Sequence, residues 1–431
     1  MTDDQDLHLG SLDYQPKVWK HFGEKGTFFK KHYCTMAQCC PSRVSFLTGK
    51  AGHNTNVTDV RPPYGGYPKF VEQGLNDNYL PVWLQGAGYN TYYTGKLMNA
   101  HSTDNWDSPF PAGWTGSDFL IDPKTYIFYN ATMQRNKEPP KDYPDEYSTD
   151  LISAKTLGWL DEASKSDQPF FIAAMPIGPH SETLFPKTAT DLPVFDPPVP
   201  ADRHKDLFLH VTVPRSANFS PDKTSGASYI KSFDQMNETV VAYNDYFYRR
   251  RLQSLQAIDD LMDAVIERVE ELGLLDNTYI IYTTDNGYHI EAPTSHTDIV
   301  PTLFELAGIP LHDDFDGQPM PVKPEMKHHT KTEHINIEFW GSNLGEGDER
   351  GFSGILVSPN NMYKGLRLIG DDYDLAYMVW CTNEHELYDM KTDPGQMVNL
   401  MTTQLAKVSG YDRELLVSRL DARSHGGPEI M

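Results

Sequence analysis

An α/β fold is predicted for most of the chain, because strand-like apolar runs alternate with amphipathic helical segments. Lys96, His180 and Asp285 each lie just after a predicted strand. Ligands of open α/β sheets bind at that carboxyl edge, so the three positions together indicate a site. From about residue 328 the pattern changes to short strands and turns. We therefore predict a catalytic domain over 1–328 and a smaller C-terminal α+β subdomain over 329–431.

The first half of the chain contains two predicted pairs of helix and strand. Tyr79–Gly86 reads as a short helix, and Asn90–Thr94 (NTYYT) reads as a β-rich strand that ends at Gly95-Lys96. Thr149–Ala163 is a predicted helix, and Phe170–Met175 (FFIAAM) is a predicted buried strand. Both strands run into polar or turn residues, which places their ends at a common edge.

The strongest helix prediction covers Asp245–Glu271. Its apolar residues recur at steps of three and four and form one face: Leu255, Ile258, Met262, Val265 and Val269. Tyr279–Thr284 (YIIYTT) then predicts a strand, and His296–Leu306 predicts another helix. Pro186–Lys223 is Pro-rich and predicts a long irregular surface segment.

The C-terminal part offers three strand candidates with turns between them. In sequence order they read INIEFW, SGILVS and YKGLRLIG. No internal repeat or low-complexity block interrupts them.

The charge of the chain restricts its partners. Its 37 Lys and Arg residues face 60 Asp and Glu residues, a formal net charge of −23. Such an acidic surface argues against nucleic acid and anionic membranes as general partners. It also requires that any site for an anionic substrate be locally positive.

Cysteines, glycosylation sequons and targeting signals bear on the cellular compartment of the protein, and they do not all point the same way. Four cysteines (Cys34, Cys39, Cys40 and Cys381) are too few for a disulfide scaffold. Four N-x-S/T sequons favour a secreted glycoprotein, at Asn56, Asn130, Asn218 and Asn237. No signal peptide and no membrane-spanning apolar run is visible.

The stretch Cys39-Cys40-Pro41-Ser42-Arg43, followed by Leu47-Thr48-Gly49, is the most specific motif in the chain. It resembles the signature of type I sulfatases, whose first cysteine is oxidised to formylglycine. The resemblance implies an alkaline-phosphatase-like fold with a mixed, mostly parallel sheet flanked by helices. It also implies a formylglycine-generating enzyme as a partner during maturation.

The modification has a chemical reason. A thiol that attacks sulfur leaves a thiosulfate without an easy exit, whereas a hydrated aldehyde offers two hydroxyls. One hydroxyl attacks sulfur, and the other then collapses to the aldehyde and expels sulfate. The resemblance gives Arg43 the task of holding this hydrate.

Further motifs match the same family. Asp3-Asp4 within Thr2–Asp6, together with Asp285-Asn286, resembles its cation site, with Cys39 as a further ligand. These hard oxygen ligands suit Ca²⁺, with Mg²⁺ possible if waters complete the shell. The cation is expected to polarise the sulfate oxygens.

Two other segments resemble the family's catalytic loops. Gly95-Lys96 with Asn99 (TGKLMN) implies that Lys96 pairs with the sulfate, and Pro179-His180 implies that His180 protonates the leaving oxygen. His101 is predicted to be solvated, as lone loop histidines usually are. The whole pattern is closest to fungal-type arylsulfatases and N-acetylglucosamine-6-sulfatases.

Two pieces of the family pattern are missing. Met1 stands directly before the Asp3-Asp4 segment, so the first strand, with any signal peptide before it, is absent from this sequence. Only Ile290–Ser295 joins Asp285–His289 to the later helix, where the family has a strand and an active-site Lys. We therefore expect a weakly stable and poorly active polypeptide.

Three functions stay open from the sequence. The leading one is hydrolysis of sulfate esters, with aryl sulfates or N-acetylglucosamine 6-sulfate as substrates. A phosphomonoester or phosphodiester hydrolase of the same superfamily is the second, although Cys39 in its motif favours sulfate. The third is a catalytically impaired pseudoenzyme from a truncated or mis-spliced gene.

Overall fold

The computed structural model describes residues 1–185, 193–286, 294–323, 326, 334–341, 343–344, 357–358 and 360–424. The α-helices span Pro16–Val18, Cys39–Thr48, Gly52–Thr55, Gly66–Glu72, Leu80–Gly86, Ser148–Ala163, Ser228–Lys231, Glu238–Glu271, Ile299–Ala307 and Arg413–Ser424. Trp19–Gly23 forms a π-helix. Short 3₁₀ turns span Ser11–Tyr14, Leu75–Asp77, Asp202–His204, Leu275–Asn277, His296–Asp298 and Leu400–Thr402.

The main sheet has five strands. In spatial order they are Lys141–Tyr147, Tyr129–Arg135, Gly116–Leu120, Asn90–Lys96 and Phe170–Met175. The last three run parallel and the first two antiparallel, which makes the sheet mixed, as predicted. The parallel part is the part that ends at the predicted site.

The long helix Glu238–Glu271 packs on one face of this sheet. It begins seven residues before the predicted helix, because Asn237 caps it by accepting a hydrogen bond from the Val240 N–H at 3.0 Å. Its apolar residues Leu255, Ile258 and Met262 join a buried cluster beneath the sheet. The helix therefore fixes the sheet as a rigid platform for the loops at its edge.

The C-terminal sheet is also five-stranded, in the order His385–Asp389, Asp374–Trp380, Tyr363–Ile369, His334–Phe339 and Met36–Ala37. Two of the three predicted strands appear, as His334–Phe339 and Tyr363–Ile369. Most of the SGILVS prediction lies outside the described residues. The short strand Met36–Ala37 pairs in parallel with Glu338 and Phe339 and so ties this sheet to the segment before Cys39.

Seven small strand pairings are also found among the described residues. Four are two-stranded sheets: His32–Tyr33 with Thr294–Ser295, Asn343–Leu344 with Val357–Ser358, Lys407–Val408 with Tyr411–Asp412, and Glu182–Leu184 with Val194–Asp196. The other three are isolated bridges, between Thr2 and Thr284, between Asp59 and Gly65, and between Ser102 and Asp122. Within the described part of the chain, we find no helix that is both long enough and apolar enough to span a bilayer.

The prediction of a strand at Tyr279–Thr284 is wrong for the described chain. Only Thr284 pairs as a bridge, with Thr2, and Tyr279 and Ile281 are 53% and 43% exposed. A strand needs a neighbouring ladder along its length, and local β-propensity does not supply one. Its described neighbour is the short segment Met1–Asp3, which is too short to form that ladder.

Candidate active site

The helix Cys39–Thr48 carries the sulfatase-like motif and is buried along its whole length. Cys39 is its first residue, and Arg43 follows one turn later on the same side. Pro41 is tolerated because it lies in the first turn, where no intrahelical donor is needed. Gly49 ends the helix with φ of 67°, a left-handed conformation that explains the glycine of Leu-Thr-Gly.

The residues Met1–Asp3 lie between the strand Phe170–Met175 and Thr283–Asp285. The Met1 amino group donates to the Ala174 carbonyl at 2.9 Å, and Thr2 N donates to the Thr283 carbonyl at 2.9 Å. Asp285 N in turn donates to the Thr2 carbonyl at 3.1 Å. These bonds bring the carboxylates of Asp3 and Asp4 to the carboxyl edge of the sheet.

Asp285 and Asn286 are held against this N-terminal segment. Asp4 N donates to Asp285 Oδ1 at 2.9 Å, and Asn286 Nδ2 donates to Asp4 Oδ1 at 2.6 Å. Asn286 Nδ2 also lies 3.6 Å from the Cys39 sulfur. Ser42 Oγ donates to the Asp285 carbonyl and fixes that turn to the Cys39 helix.

Lys96 reaches the site because of the glycine before it. Gly95 has φ of 114°, and a Cβ there would lie 2.1 Å from the Met175 carbonyl oxygen, so no larger residue fits between the two strands. The Lys96 ammonium is completely buried and donates to Asp3 Oδ2 at 2.6 Å. The cation is therefore fixed beside the carboxylates.

His180 follows the neighbouring strand and is 7% exposed. Its Nδ1 donates to the Ser181 carbonyl at 2.7 Å, because a carbonyl oxygen only accepts. This leaves Nε2 facing Asp4, 3.4 Å from Oδ2. The imidazole thus presents Nε2 to the space beside Cys39 and the carboxylates.

Arg43 ties the carboxylates together. Its Nε donates to Asp285 Oδ2 at 2.9 Å, its Nη2 to Asp3 Oδ2 at 3.3 Å and its Nη1 to the Lys96 carbonyl at 2.5 Å. The predicted task of Arg43 was to hold a formylglycine hydrate. In this structure the guanidinium orders the two acidic residues next to Cys39.

Burial and charge compete in this cluster. Burial alone would lower the pKa of Lys96, but the Asp3 carboxylate outweighs it and holds that pKa well above its usual value. Burial alone would raise the pKa of Asp3, but Lys96 and Arg43 outweigh it, so the pKa is lowered. Burial raises the pKa of the Cys39 thiol, so an unmodified Cys39 stays protonated and is a weak nucleophile.

The residues present fit a divalent cation. Asp3, Asp4, Cys39 and His180 each offer one ligand atom, and these atoms lie within 4.8 Å of one another. Asp285 adds a third carboxylate beside Asp3 and Asp4. Two cationic side chains pair with these carboxylates: Arg43 with Asp3 and Asp285, and Lys96 with Asp3. Among the described residues these five side chains leave one surplus negative charge, and hard oxygen atoms that carry such a charge in a buried site suit Ca²⁺ or Mg²⁺.

Arg251 is a site residue that the sequence analysis missed. From the long helix, its Nη2 donates to the Asp4 carbonyl at 2.5 Å and to Asp6 Oδ2 at 3.2 Å, and its Nη1 donates to the Pro179 carbonyl at 3.2 Å. It therefore joins the Asp3-Asp4 loop to the His180 loop. The signal was present, because Arg251 precedes Leu255 by four residues on the otherwise apolar face.

His101 was predicted to be solvated, and that prediction is wrong. Its side chain is 0% exposed and packs against Tyr67 and Phe119, with ring centroids 4.5 and 5.4 Å apart. Burial lowers the pKa of His101 to about 3, so the ring is neutral. His101 belongs to the aromatic packing beside the Lys96 loop.

Comparisons with known proteins identify the family of the chain. The family model described as Sulfatase matches residues 1–293. An arylsulfatase of Volvox carteri is 34% identical, over 94% of this chain and 71% of its own length. An N-acetylglucosamine-6-sulfatase of Bos taurus is 28% identical, over 93% of this chain and 78% of its own length.

The match to the Volvox arylsulfatase runs over 470 positions, more than the 431 residues of this chain. That relative therefore carries internal residues that this chain lacks.

The fold also has solved counterparts. One is a protein in complex with its substrate D-glucosamine-2-N,6-O-disulfate, with a TM-score of 0.74 at 19% identity, covering 99% of this chain and 97% of the other. A second is a sulfatase-like protein from Bacteroides fragilis, with a TM-score of 0.68 at 17% identity, covering 99% of this chain and 95% of the other. With the family model and the arylsulfatase match, these findings establish that the chain belongs to the sulfatase family, the hydrolases of sulfuric esters.

Proposed function

We propose that the chain hydrolyses sulfate monoesters with a formylglycine formed from Cys39, beside a bound Ca²⁺ or Mg²⁺. The observation that carries this proposal is the convergence of Cys39 with Asp3 and Asn286: the Cys39 sulfur lies 3.5 Å from Asp3 Oδ1 and 3.6 Å from Asn286 Nδ2. A nucleophile among acidic ligands needs a cation to act on an anionic ester. The cation would supply charge stabilisation for the sulfate oxygens and would be held by Asp3, Asp4, Asp285, Asn286 and residue 39.

The other side chains divide the remaining work. Lys96 pairs with a sulfate oxygen from its fixed position on Asp3. His180 keeps its Nδ1 proton on the Ser181 carbonyl, so it would protonate the leaving oxygen from Nε2 in its doubly protonated, imidazolium form. Arg43 holds Asp3 and Asp285 in register with the nucleophile.

Aryl sulfates are the first substrate to test, because the two relatives at 34% and 32% identity are both arylsulfatases. N-acetylglucosamine 6-sulfate is the second candidate. It is supported by the 28% identical N-acetylglucosamine-6-sulfatases and by the sugar disulfate bound to the structural counterpart.

We propose a secretory location for the protein. Relatives from Caenorhabditis elegans and Drosophila melanogaster are named as extracellular sulfatases. Three of the four sequon asparagines, Asn56, Asn218 and Asn237, are exposed. A glycan on Nδ2 of Asn237 would leave its Oδ1 free to cap the long helix. Maturation in that compartment would bring the chain to a formylglycine-generating enzyme.

Mass spectrometry and turnover test the mechanism together. The peptide that contains Cys39, isolated from the native host, is expected to carry formylglycine. Cys39→Ala should abolish release of sulfate from a chromogenic aryl sulfate and from N-acetylglucosamine 6-sulfate, yet leave calcium binding measurable by calorimetry. Cys381→Ala is the matched control, because Cys381 is exposed and directly follows the C-terminal strand Asp374–Trp380. Unmodified cysteine at full occupancy in an active preparation contradicts the mechanism, and an unmodified, inactive protein supports the pseudoenzyme alternative.

A further inference from the structure

Tyr126 is an aromatic residue that none of the recognised motifs contains. It lies between the strands Gly116–Leu120 and Tyr129–Arg135 and is 2% exposed. Its ring contacts two residues of the proposed catalytic set. The Lys96 ammonium lies 4.5 Å from the ring centroid, and the His180 ring centroid lies 4.4 Å away with 31° between the two planes.

The ring is anchored to the same loop that carries Lys96. Asn99 Nδ2 donates to the Tyr126 hydroxyl at 2.6 Å, three residues after Lys96. Burial raises the pKa of Tyr126 well above its usual value, so the phenol stays neutral and does not compete with the sulfate for Lys96. The ring is therefore an uncharged, fixed surface against which both groups rest.

Such a surface matters because it adds a contact to each of the two groups that uses none of the proposed cation ligands. Lys96 has a flexible four-carbon stem, and its strong partner Asp3 is also a proposed cation ligand. An aromatic face attracts an ammonium without sharing a ligand atom with the metal. The Tyr126 ring also lies beside the face of the His180 imidazole, where it limits rotation of that ring about its side-chain bonds.

Resting on the proposed function, we propose that Tyr126 is a positioning residue that sets the distance and orientation of Lys96 and His180 around the sulfate group. It makes no bond to the substrate. Its ring, rather than its hydroxyl, does most of the work. The sulfate of substrate or product would then be held between two donors whose separation is fixed by one rigid side chain.

Calorimetric binding of inorganic sulfate to the calcium-loaded chain tests this role without requiring turnover. Tyr126→Leu removes the ring, and we expect its sulfate affinity to fall about tenfold or more. Tyr126→Phe keeps the ring and loses the hydroxyl with its contacts to Asn99 and Lys96, so it should recover most of that affinity. Phe128→Leu is the matched control: Phe128 is 0% exposed two residues away and stacks on Tyr147, outside the site.

The outcomes separate the two proposals. Wild-type affinity in Tyr126→Leu, an equal loss in Phe128→Leu, or no sulfate binding by the unaltered chain each overturns the role of Tyr126. Sulfate binding with the expected order of variants, but without turnover of any sulfate ester, supports the role of Tyr126 and contradicts only the proposed hydrolysis. With turnover present, Tyr126→Leu should lower kcat more than it raises KM, since correct orientation matters most in the transition state.

Discussion

The ammonium of Lys96 lies 2.6 Å from Oδ2 of Asp3, and both side chains are completely buried. These two residues are 93 positions apart and come from different elements of the sheet edge. Their pairing fixes a positive charge beside a proposed cation ligand. Each residue also stabilises the charged form of the other against the effect of burial.

Replacing Lys96 should damage both turnover and stability. Lys96→Met leaves Asp3 with Arg43 alone, and we expect a fall in kcat of about 10²–10³-fold. Loss of one partner from a buried ion pair should lower the free energy of unfolding by about 3–5 kcal/mol. Kinetics on an aryl sulfate and urea denaturation measure the two effects.

Lys155→Met is the control for that substitution. Lys155 also pairs with a fully buried carboxylate, that of Asp118 at 2.7 Å, but it lies on the helix Ser148–Ala163, which carries none of the proposed site residues. The Lys155→Met variant should have a lower free energy of unfolding and an unchanged kcat. Equal losses of kcat in both variants would show that the effect of Lys96 is structural alone.

Removal of divalent cations should destabilise the chain. A bound cation would compensate the surplus negative charge of Asp3, Asp4 and Asp285 in the described part of the site, so calcium at about 100 times its Kd should add about 2.7 kcal/mol to the free energy of unfolding. Thermal melting with calcium and with a chelator measures this difference. Asp3→Asn should abolish the response, whereas Asp118→Asn, outside the site, should retain it. A melting temperature that ignores calcium in the unaltered chain contradicts the proposed cation site.

Arg251 should be required for activity although it contacts none of the reacting atoms. Arg251→Met removes the donor that the Asp4 and Pro179 carbonyls share. The Asp3-Asp4 loop and the His180 loop can then shift independently. A misplacement of about 1 Å costs on the order of 10²-fold in rate. Arg249→Met, two residues earlier, removes a contact to the Val211 carbonyl instead and should be nearly neutral for kcat. The prediction fails if the two variants have the same kcat.

Asp298 should give the fold a pH dependence of known sign. Burial raises the pKa of Asp298 to about 6, although Ser295 N and Gln318 N donate to its carboxylate. The folded state thus binds this proton more tightly than the unfolded state, and stability is lost as pH rises from about 4 to about 6.

Relative to Asp298→Asn, the unaltered chain should lose up to about 3 kcal/mol over that range and change little above it. Urea denaturation at pH 4, 5, 6 and 7 on both proteins isolates the contribution, because other titrating groups cancel in the difference. If the difference in free energy of unfolding between the two proteins stays constant with pH, Asp298 does not make this contribution.

Restoring an internal segment should stabilise the chain and raise its activity. The Tyr279–Thr284 run lacks a ladder and lines a largely apolar cavity of about 700 Å³, together with Trp19, Phe28 and Ile299. Insertion of the corresponding segment of the Volvox relative between Ile290 and Ser295 is expected to raise the unfolding midpoint, reduce binding of a hydrophobic dye and increase hydrolysis. Equal hydrolysis by the two chains would contradict the expectation that a functional piece is missing. An insertion of equal length made of Gly and Ser is the control.

The fold was predictable where local signals were strong. The helix Ser148–Ala163 and the strand Phe170–Met175 lie within one residue of their predicted bounds, because periodicity and flanking turn residues act locally. The local sequence predicted a strand at Tyr279–Thr284 that the structure does not have. Whether such a segment forms a strand depends on partners that lie far away in sequence. The early start of the long helix at Glu238 depended on the Asn237 cap within a segment without clear periodicity.

The sequence by itself determined the family, because the Cys39–Arg43 motif and the Leu-Thr-Gly that follows it are local in the chain and specific. Only the tertiary structure decided which charges face each other: that Arg43 binds Asp3 and Asp285, that Lys96 binds Asp3, and that Tyr126 and Arg251 support the site. Neither of the last two belongs to a motif. Their importance arises from distances between residues that are remote in the chain, and burial, which gives such contacts their strength, is a property of the folded molecule alone.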